Sequence, residues 1–297
     1  MVRAYEFVQV DVFTERVFGG NPLAVFLDGG GLDDGEMQAV AREMNLSETT
    51  FVLPATRADC AARVRIFTPG REVPFAGHPT LGTAWVLATR GGFGGASRAA
   101  LEEGIGAVPV ELEGDPVRPS FVWMRHREAE FDPPVTERAG VAAALGLEEA
   151  TLHPDAPICV GSTGSRFLYV PLRDRAAVDR AALDVAAMRR AAGEGVPGVF
   201  VFAAEKAGAY SRMFAPHTSR VAEDPATGSA SGPLGAYLVL HGLVPGGAAV
   251  RLISEQGTRM GRQSFVHIRL RGDTHGVTDI GVGGAVVPVL EGRLTIP

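Results

Sequence analysis

Arg212-Met213-Phe214-Ala215-Pro216, with Ala222-Glu223-Asp224-Pro225-Ala226-Thr227-Gly228-Ser229-Ala230 after it, has a near twin earlier in the chain. The twin is Arg65-Ile66-Phe67-Thr68-Pro69 followed by Phe75-Ala76-Gly77-His78-Pro79-Thr80-Leu81-Gly82-Thr83-Ala84. Both read Arg-x-Phe-x-Pro, a short polar loop, a glycine with a polar residue behind it, and an apolar run of helical length. An internal repeat is therefore the reading that decides the fold. Two registers compete for its second part. A shift of 146 pairs His78-Pro79 with Asp224-Pro225 and Gly82-Thr83-Ala84 with Gly228-Ser229-Ala230, whereas a shift of 151 pairs Ala76-Gly77-His78 with Thr227-Gly228-Ser229. In either register each half offers a helix that begins at glycine. Its free backbone N–H groups and positive dipole end can hold a carboxylate or phosphate.

The helices that follow these glycines carry no charge on any face: Thr83-Ala84-Trp85-Val86-Leu87-Ala88 in one half, Leu234-Gly235-Ala236-Tyr237-Leu238-Val239-Leu240 in the other. A helix apolar all round is a buried helix. At roughly 12 residues each, they are too short for a bilayer, which needs about 20. The expected class is α+β: two pseudo-symmetric domains, each a curved or rolled sheet around a central helix. The halves are expected at 1–130 and 131–285. The tail, Val286-Val287-Pro288-Val289-Leu290-Glu291-Gly292-Arg293-Leu294-Thr295-Ile296, reads as hairpin strands able to cross back over 286–297 and complete the first sheet.

A length of 297 residues with 46% hydrophobic side chains fits two cores. The net charge of −6, with no Lys/Arg cluster, argues against a nucleic-acid or anionic-membrane partner and leaves a small molecule or protein. The N-terminus lacks the apolar core of a signal peptide, so a cytoplasmic location is expected. The two cysteines, Cys60 and Cys159, lack ligand or CxxC spacing and read as buried inert thiols.

Taken in order, Phe7–Phe13 and Leu23–Leu27 read as strands and Asp33–Glu43 as an amphipathic helix through Met37, Val40 and Met44. Strands follow at Phe51–Pro54, Ala62–Phe67, Val108–Leu112 and Phe121–Met124. After a crossover at 128–135 and a helix over Thr136–Leu147, the second half repeats the order. It has a strand at Phe167–Val170, a helix over Ala181–Ala192, and strands at Gly198–Phe202 and Ser211–Phe214. Glu48 stands where the first helix hands over to a strand, and the matching handover, Gly195-Val196-Pro197-Gly198, has no carboxylate. A symmetric scaffold with an asymmetric acid suits directional proton transfer.

P-loop, GxGxxG and HExxH signatures are absent, so nothing points to a metal or organic cofactor. The candidates that remain are Glu48, His78, Asp224 and Ser229. A cleft between the halves would bring both helix starts over one ligand, suited to moving a proton beside a carboxylate.

These stretches resemble a known family. Asn45-Leu46-Ser47-Glu48-Thr49, Phe75-Ala76-Gly77-His78-Pro79-Thr80-Leu81-Gly82 and Glu223-Asp224-Pro225-Ala226-Thr227-Gly228-Ser229-Ala230 are similar to the signature motifs of the phenazine-biosynthesis PhzF-like isomerases. Gly19-Gly20-Asn21-Pro22 and Ser254-Glu255-Gln256-Gly257 resemble further family motifs, as does Met260-Gly261-Arg262. The resemblance implies the diaminopimelate epimerase-like fold and a cofactor-free isomerase, commonly a homodimer, with its site between two domains. It makes Glu48 the acid/base, with His78 and Asp224 as catalytic partners. Substrate binding would fall to Asn21, Gly77, Gly228, Ser229 and Gln256. Thiol-dependent members of the wider superfamily carry a cysteine immediately before each helix-starting glycine. Ala76 and Thr227 stand there, which disfavours a two-thiol racemase and favours the 151 register. Two other readings use the same residues: a Ser-His-Asp hydrolase built on Ser229, His78 and Asp224, and a binding protein on the same scaffold. The hydrolase lacks a GxSxG elbow and leaves Glu48 without a role.

Overall fold

Alternation of buried and exposed side chains at the start of the chain produces β1 (Arg3–Val12), which pairs antiparallel with β2 (Asn21–Phe26). The structure, a computed structural model, describes residues 2–196, 198–215 and 222–296. Pro197 of the second handover and Pro216 of the second Arg-x-Phe-x-Pro motif lie outside the described residues. Next comes α1 (Asp34–Met44), opened by a reciprocal cap in which Asp33 accepts from the Glu36 N–H and Glu36 accepts from the Asp33 N–H. Asn45, left-handed at φ 49°, ends it and delivers the chain into β3 (Glu48–Leu53). The remaining elements of this half are β4 (Ala62–Phe67), β5 (Glu72–Val73), α2 (Gly77–Thr89), β6 (Arg98–Glu103), β7 (Gly106–Asp115) and β8 (Arg118–Arg125).

In the second half come β9 (Glu130–Phe131), α3 (Arg138–Ala144), β10 (Cys159–Ser162), β11 (Arg166–Leu172), α4 (Arg175–Arg180), α5 (Val185–Ala192), β12 (Gly198–Glu205), β13 (Gly208–Phe214) and β14 (Glu223–Asp224). Then follow α6 (Gly228–Leu240), β15 (Gly247–Gln256), β16 (Ser264–Asp273) and β17 (Gly276–Gly284), and β18 (Val286–Ile296) closes the described chain. Two compact units result: residues 2–125 with 283–296, and residues 126–215 with 222–282.

Within each unit the pairing follows one plan. In the first, β2 and β3 are parallel, β3 and β4 antiparallel, and β4 is met at its end by β5 and at its start by parallel β6. In the second, β11 and β12 are parallel, β12 and β13 antiparallel, and β13 is met by β14 and by parallel β15. The α2 and α6 helices begin at Gly77 and Gly228, so the helices obey the 151 shift. The strands before them do not. Ile66 faces Val73 while Met213 faces Asp224, a shift of 147 on β4 and β13, because the connection after Phe214 is longer than that after Phe67. The 146 match of the sequence, which would set Gly82 against Gly228, corresponds to neither the strands nor the helices.

The helices without polar faces are the cores. In α6 every residue from Gly228 to Val239 is buried, and in α2 burial runs from Gly77 to Ala84 and resumes at Val86 and Ala88. Tyr237 of α6 packs among Tyr169, Phe200 and Phe202, and the Tyr169 hydroxyl donates to the Ala230 carbonyl at 2.6 Å. Across α2, the Thr50 and Thr83 hydroxyls bond at 2.9 Å.

Three expectations differ. The helix expected over Ala181–Ala192 starts only at Val185: Ala181 turns extended after α4, and Asp184 caps α5 through the Ala187 N–H. Aspartate competes for backbone donors better as a cap than in a helix interior. The tail is one strand rather than a hairpin, and β18 runs antiparallel to β1 from Arg3 opposite Ile296 to Val12 opposite Val286. Cys159 is buried, with its thiol pushed up to about 11 by burial, but Cys60 is only half-buried. Among the described residues no helix is long and apolar enough to cross a membrane.

Candidate active site

Glu48 opens β3 beside Leu23 of β2. By strand register its counterpart is Gly198, which opens β12 beside Phe167 of β11. The carboxylate on one side and the bare backbone on the other are thus equivalent positions. Glu48 keeps 18% of its side chain exposed, and its Oε2 lies 3.4 Å from Nε2 of His78.

His78 is the second residue of α2 and 4% exposed. Burial lowers its pKa to about 3, so the ring is neutral at physiological pH. Its hydrogen bond to the Pro22 backbone uses the proline's carbonyl, since proline has no N–H. Nε2 has no hydrogen bond and faces Glu48, so Nδ1–H is the donor and the Nε2 lone pair is directed at the carboxyl. A loop bond organises the other side of Pro22. Asp11, 1% exposed, accepts from the Phe18 N–H at 2.7 Å, and Asn21 is fully buried at the start of β2. Gly20 at φ 60° is required between them, because a Cβ there would sit 2.2 Å from the Val12 carbonyl oxygen.

In the second unit Asp224 ends β14. Its Oδ2 accepts from the Thr227 hydroxyl at 2.6 Å, and its backbone carbonyl accepts from the Gln256 amide at 2.7 Å. The same fully buried Gln256 accepts from the Thr227 N–H at 3.1 Å and donates to the Thr227 hydroxyl. Gly228 and Ser229 follow as the first residues of α6, with Ser229 8% exposed. Neither Ala76 nor Thr227 caps its helix with a side chain, and neither first turn contains an acid. Both helix starts therefore keep the donor-rich, positive character that suits an anion.

The arginines of the repeat fasten the strands that lead to these helices. Arg65 grips Glu72 through two bonds of 2.8 and 2.6 Å, and Arg212 grips Glu223 through two of 2.8 Å. Four side chains beside these helices escaped the sequence reading: Asp11, Thr80, Glu103 and His126. His126, 8% exposed, bonds the Thr163 hydroxyl through Nδ1 at 2.7 Å. Only Glu103 had a signal, since Glu103-Gly104 precedes a turn as Gln256-Gly257 does. Of the residues singled out in the sequence, the structure brings Glu48 to His78 in the first unit, and Asp224 to Gln256 and the α6 start in the second.

Comparison with known proteins gives the family. Residues 10–292 match the family described as phenazine biosynthesis-like protein. A trans-2,3-dihydro-3-hydroxyanthranilate isomerase from Pseudomonas aeruginosa is 39% identical over 294 residues, covering 97% of this chain and 99% of its own length. The crystal structure of a Bacillus anthracis phenazine biosynthesis protein of the PhzF family superposes with a TM-score of 0.88 at 28% identity, over 99% of this chain and 100% of that one. A probable proline racemase from Agrobacterium radiobacter shares the fold, with a TM-score of 0.66 at 12% identity over 98% of this chain and 92% of its own. The chain belongs to the phenazine biosynthesis-like, PhzF, family and is an isomerase with the diaminopimelate epimerase-like fold.

Proposed function

We propose that this isomerase works without a cofactor, moving a proton on a small carboxylic acid held between its two units, with Glu48 as the acid/base. One observation carries the reading: a partly exposed carboxylate stands against a buried neutral imidazole, where the twin unit has only Gly198. A neutral His78 brings no positive charge to Glu48, and its Nε2 lone pair can receive the O–H that forms when Glu48 takes a proton from carbon. The Pro22 carbonyl fixes that tautomer. Asp224 and Ser229 would face the substrate from the second unit, with the N–H groups at Gly77 and Gly228 holding its carboxylate and Asn21 and Gln256 ordering the loops around it. The hydrolase reading would need His78 bonded to an aspartate, whereas its neighbours are Glu48 and Pro22 and the Asp224 carboxylate is taken by Thr227.

The Pseudomonas relative makes trans-2,3-dihydro-3-hydroxyanthranilate, a cyclic amino acid with conjugated double bonds, the first substrate to assay. The protein is proposed to act as a cytoplasmic homodimer. In deuterated water the product should gain deuterium at the reprotonated carbon, and activity should survive chelation and dialysis. Glu48→Gln should still bind ligand and lose about two to four orders of magnitude in rate, the usual share of general acid/base catalysis. Near wild-type turnover by that variant would remove Glu48 from the role.

A further inference from the structure

The repeat assigns a partner to Gln256. Ala62 faces Leu101 in the parallel pair β4–β6, as Ala209 faces Ser254 in β13–β15. Two residues further on, Glu103 therefore occupies the place of Gln256, and Gly104 that of Gly257. The glycines confirm the alignment. A Cβ on Gly104 would lie 2.7 Å from Pro74 Cα, and one on Gly257 2.5 Å from the Pro225 oxygen, where Pro74 and Pro225 are themselves repeat equivalents. Thr80 matches Ser231 in the same way. Each hydroxyl reaches back four residues, Thr80 to the Ala76 carbonyl at 2.8 Å and Ser231 to the Thr227 carbonyl at 3.0 Å.

In the second unit the stitching residue is an amide with hydrogens to donate. In the first it is a carboxyl, 5% exposed, with Oε1 2.6 Å from the Thr80 hydroxyl and no hydrogen-bond partner at Oε2. The Thr80 hydroxyl has one hydrogen but stands within bonding distance of two acceptors, the Ala76 carbonyl and Glu103. A proton on Glu103 resolves this: Glu103 donates to Thr80, and Thr80 donates to Ala76. We infer that Glu103 is a positioning residue, a neutral acid that fastens the first turn of α2, and with it His78, as Gln256 fastens the start of α6.

The surroundings agree with a neutral group. Burial raises the Glu103 pKa to about 8, against the lowering effect of the Thr80 bond. Four charged side chains, Arg63, Arg65, Glu72 and Glu102, share with it the wall of a cavity of about 560 Å³. Arg65 is held by Glu72 and Asp34, Glu102 by Thr56 and the Arg57 N–H, and Arg63 stands opposite Glu102 in the strand register. His78, the remaining titratable group of the first turn, is neutral. Positioning His78 matters for catalysis through the reading proposed above, but the protonation and the fastening can be tested without a substrate.

The test compares wild type with Glu103→Gln and Glu103→Leu in two measurements. Urea unfolding at pH 6 and pH 9 reads protonation. An acid with a raised folded pKa stabilises fully below its unfolded value, and that contribution is lost as pH rises to the folded one. From pH 6 to pH 9 the wild-type unfolding constant should therefore rise by roughly a hundredfold relative to that of Glu103→Gln. Nitrogen-15 spectra of labelled histidine, with His78 assigned by its loss in His78→Asn, read positioning. Glu103→Gln should keep the His78 ring signals and Glu103→Leu should move them. Parallel pH dependence in wild type and Glu103→Gln would overturn the neutral acid. His78 signals displaced in Glu103→Gln, or left in place in Glu103→Leu, would overturn the positioning role. Unchanged isomerase activity in Glu103→Leu, with both measurements as expected, would count against the proposed chemistry instead.

Discussion

Gly82 tests whether α2 is wrapped as closely as its missing polar face implies. A Cβ at Gly82 would stand 2.6 Å from Leu23 Cδ2, 2.9 Å from Val12 Cγ2 and 3.2 Å from Val10 Cγ2, and all three neighbours are fully buried. Carbon atoms rest at about 3.5–4.0 Å, so the Leu23 methyl must move by roughly 1 Å and the Val12 methyl by somewhat less, in a core with no free surface. Overpacking of that kind costs about 1–3 kcal/mol. Replacing glycine in a helix interior returns about 1 kcal/mol of propensity. Gly82→Ala should therefore destabilise by up to about 2 kcal/mol, lowering the thermal midpoint by up to roughly 6 °C. Gly276→Ala is the control, with nothing within 4 Å of its Cβ, and should change stability by less than about 0.5 kcal/mol. Urea unfolding followed by tryptophan fluorescence gives both numbers. A Gly82→Ala protein more stable than wild type by about 1 kcal/mol, the full propensity gain with no packing cost, would refute the close approach of β1 and β2 to the helix.

Other outcomes follow from the same geometry. Arg212→Met should cost about 3 kcal/mol in urea unfolding, because the guanidinium serves Glu223 and the carbonyls of Val178, Asp179 and Ala181, and Arg212→Lys should restore little of it. Tyr169→Phe should cost about 1 kcal/mol by removing the bond its buried hydroxyl donates to the Ala230 carbonyl, as read by thermal unfolding. Burial holds His78 at about 3 and His126 at about 4, so below pH 6.5 the unfolded chain binds protons that the folded one refuses. Stability should fall from pH 6.5 towards pH 4 by about 1.4 kcal/mol per pH unit for each histidine, and a urea midpoint unchanged between pH 7.5 and pH 5 would contradict their burial. Gly228→Val should abolish binding of a small carboxylate or sulfate, whereas Ser229→Ala should weaken it modestly, by calorimetry.

The helices starting at Gly77 and Gly228 were legible because an apolar run with no charged face has one stable home. The asymmetry of Glu48 was legible because the repeat supplies its own comparison, Gly198. What stayed hidden has physical causes. β6 carries Arg98, Glu102 and Glu103, and a strand with that much charge shows no alternation. β15 and β16 alternate, but their turn residues do not say which partner each meets. The break between α4 and α5 turns on whether Asp184 caps a helix or rides inside one, and tertiary packing decides that. Glu103 was missed because a charged letter in a strand reads as surface until its burial is known.

The pairing of β18 with β1 has a consequence for how the protein is made. The ribosome delivers β1 first and its neighbour on that edge last, with the whole second unit in between. Until then the nascent first unit carries an open edge along β1, of the kind that templates unwanted pairing between chains. A circular permutant that begins near residue 126 and joins Ile296 to Arg3 through a short linker, across a gap already closed by strand register, would synthesise β18 immediately before β1. Such a chain should leave a larger soluble fraction than the natural order when both are made by cell-free translation.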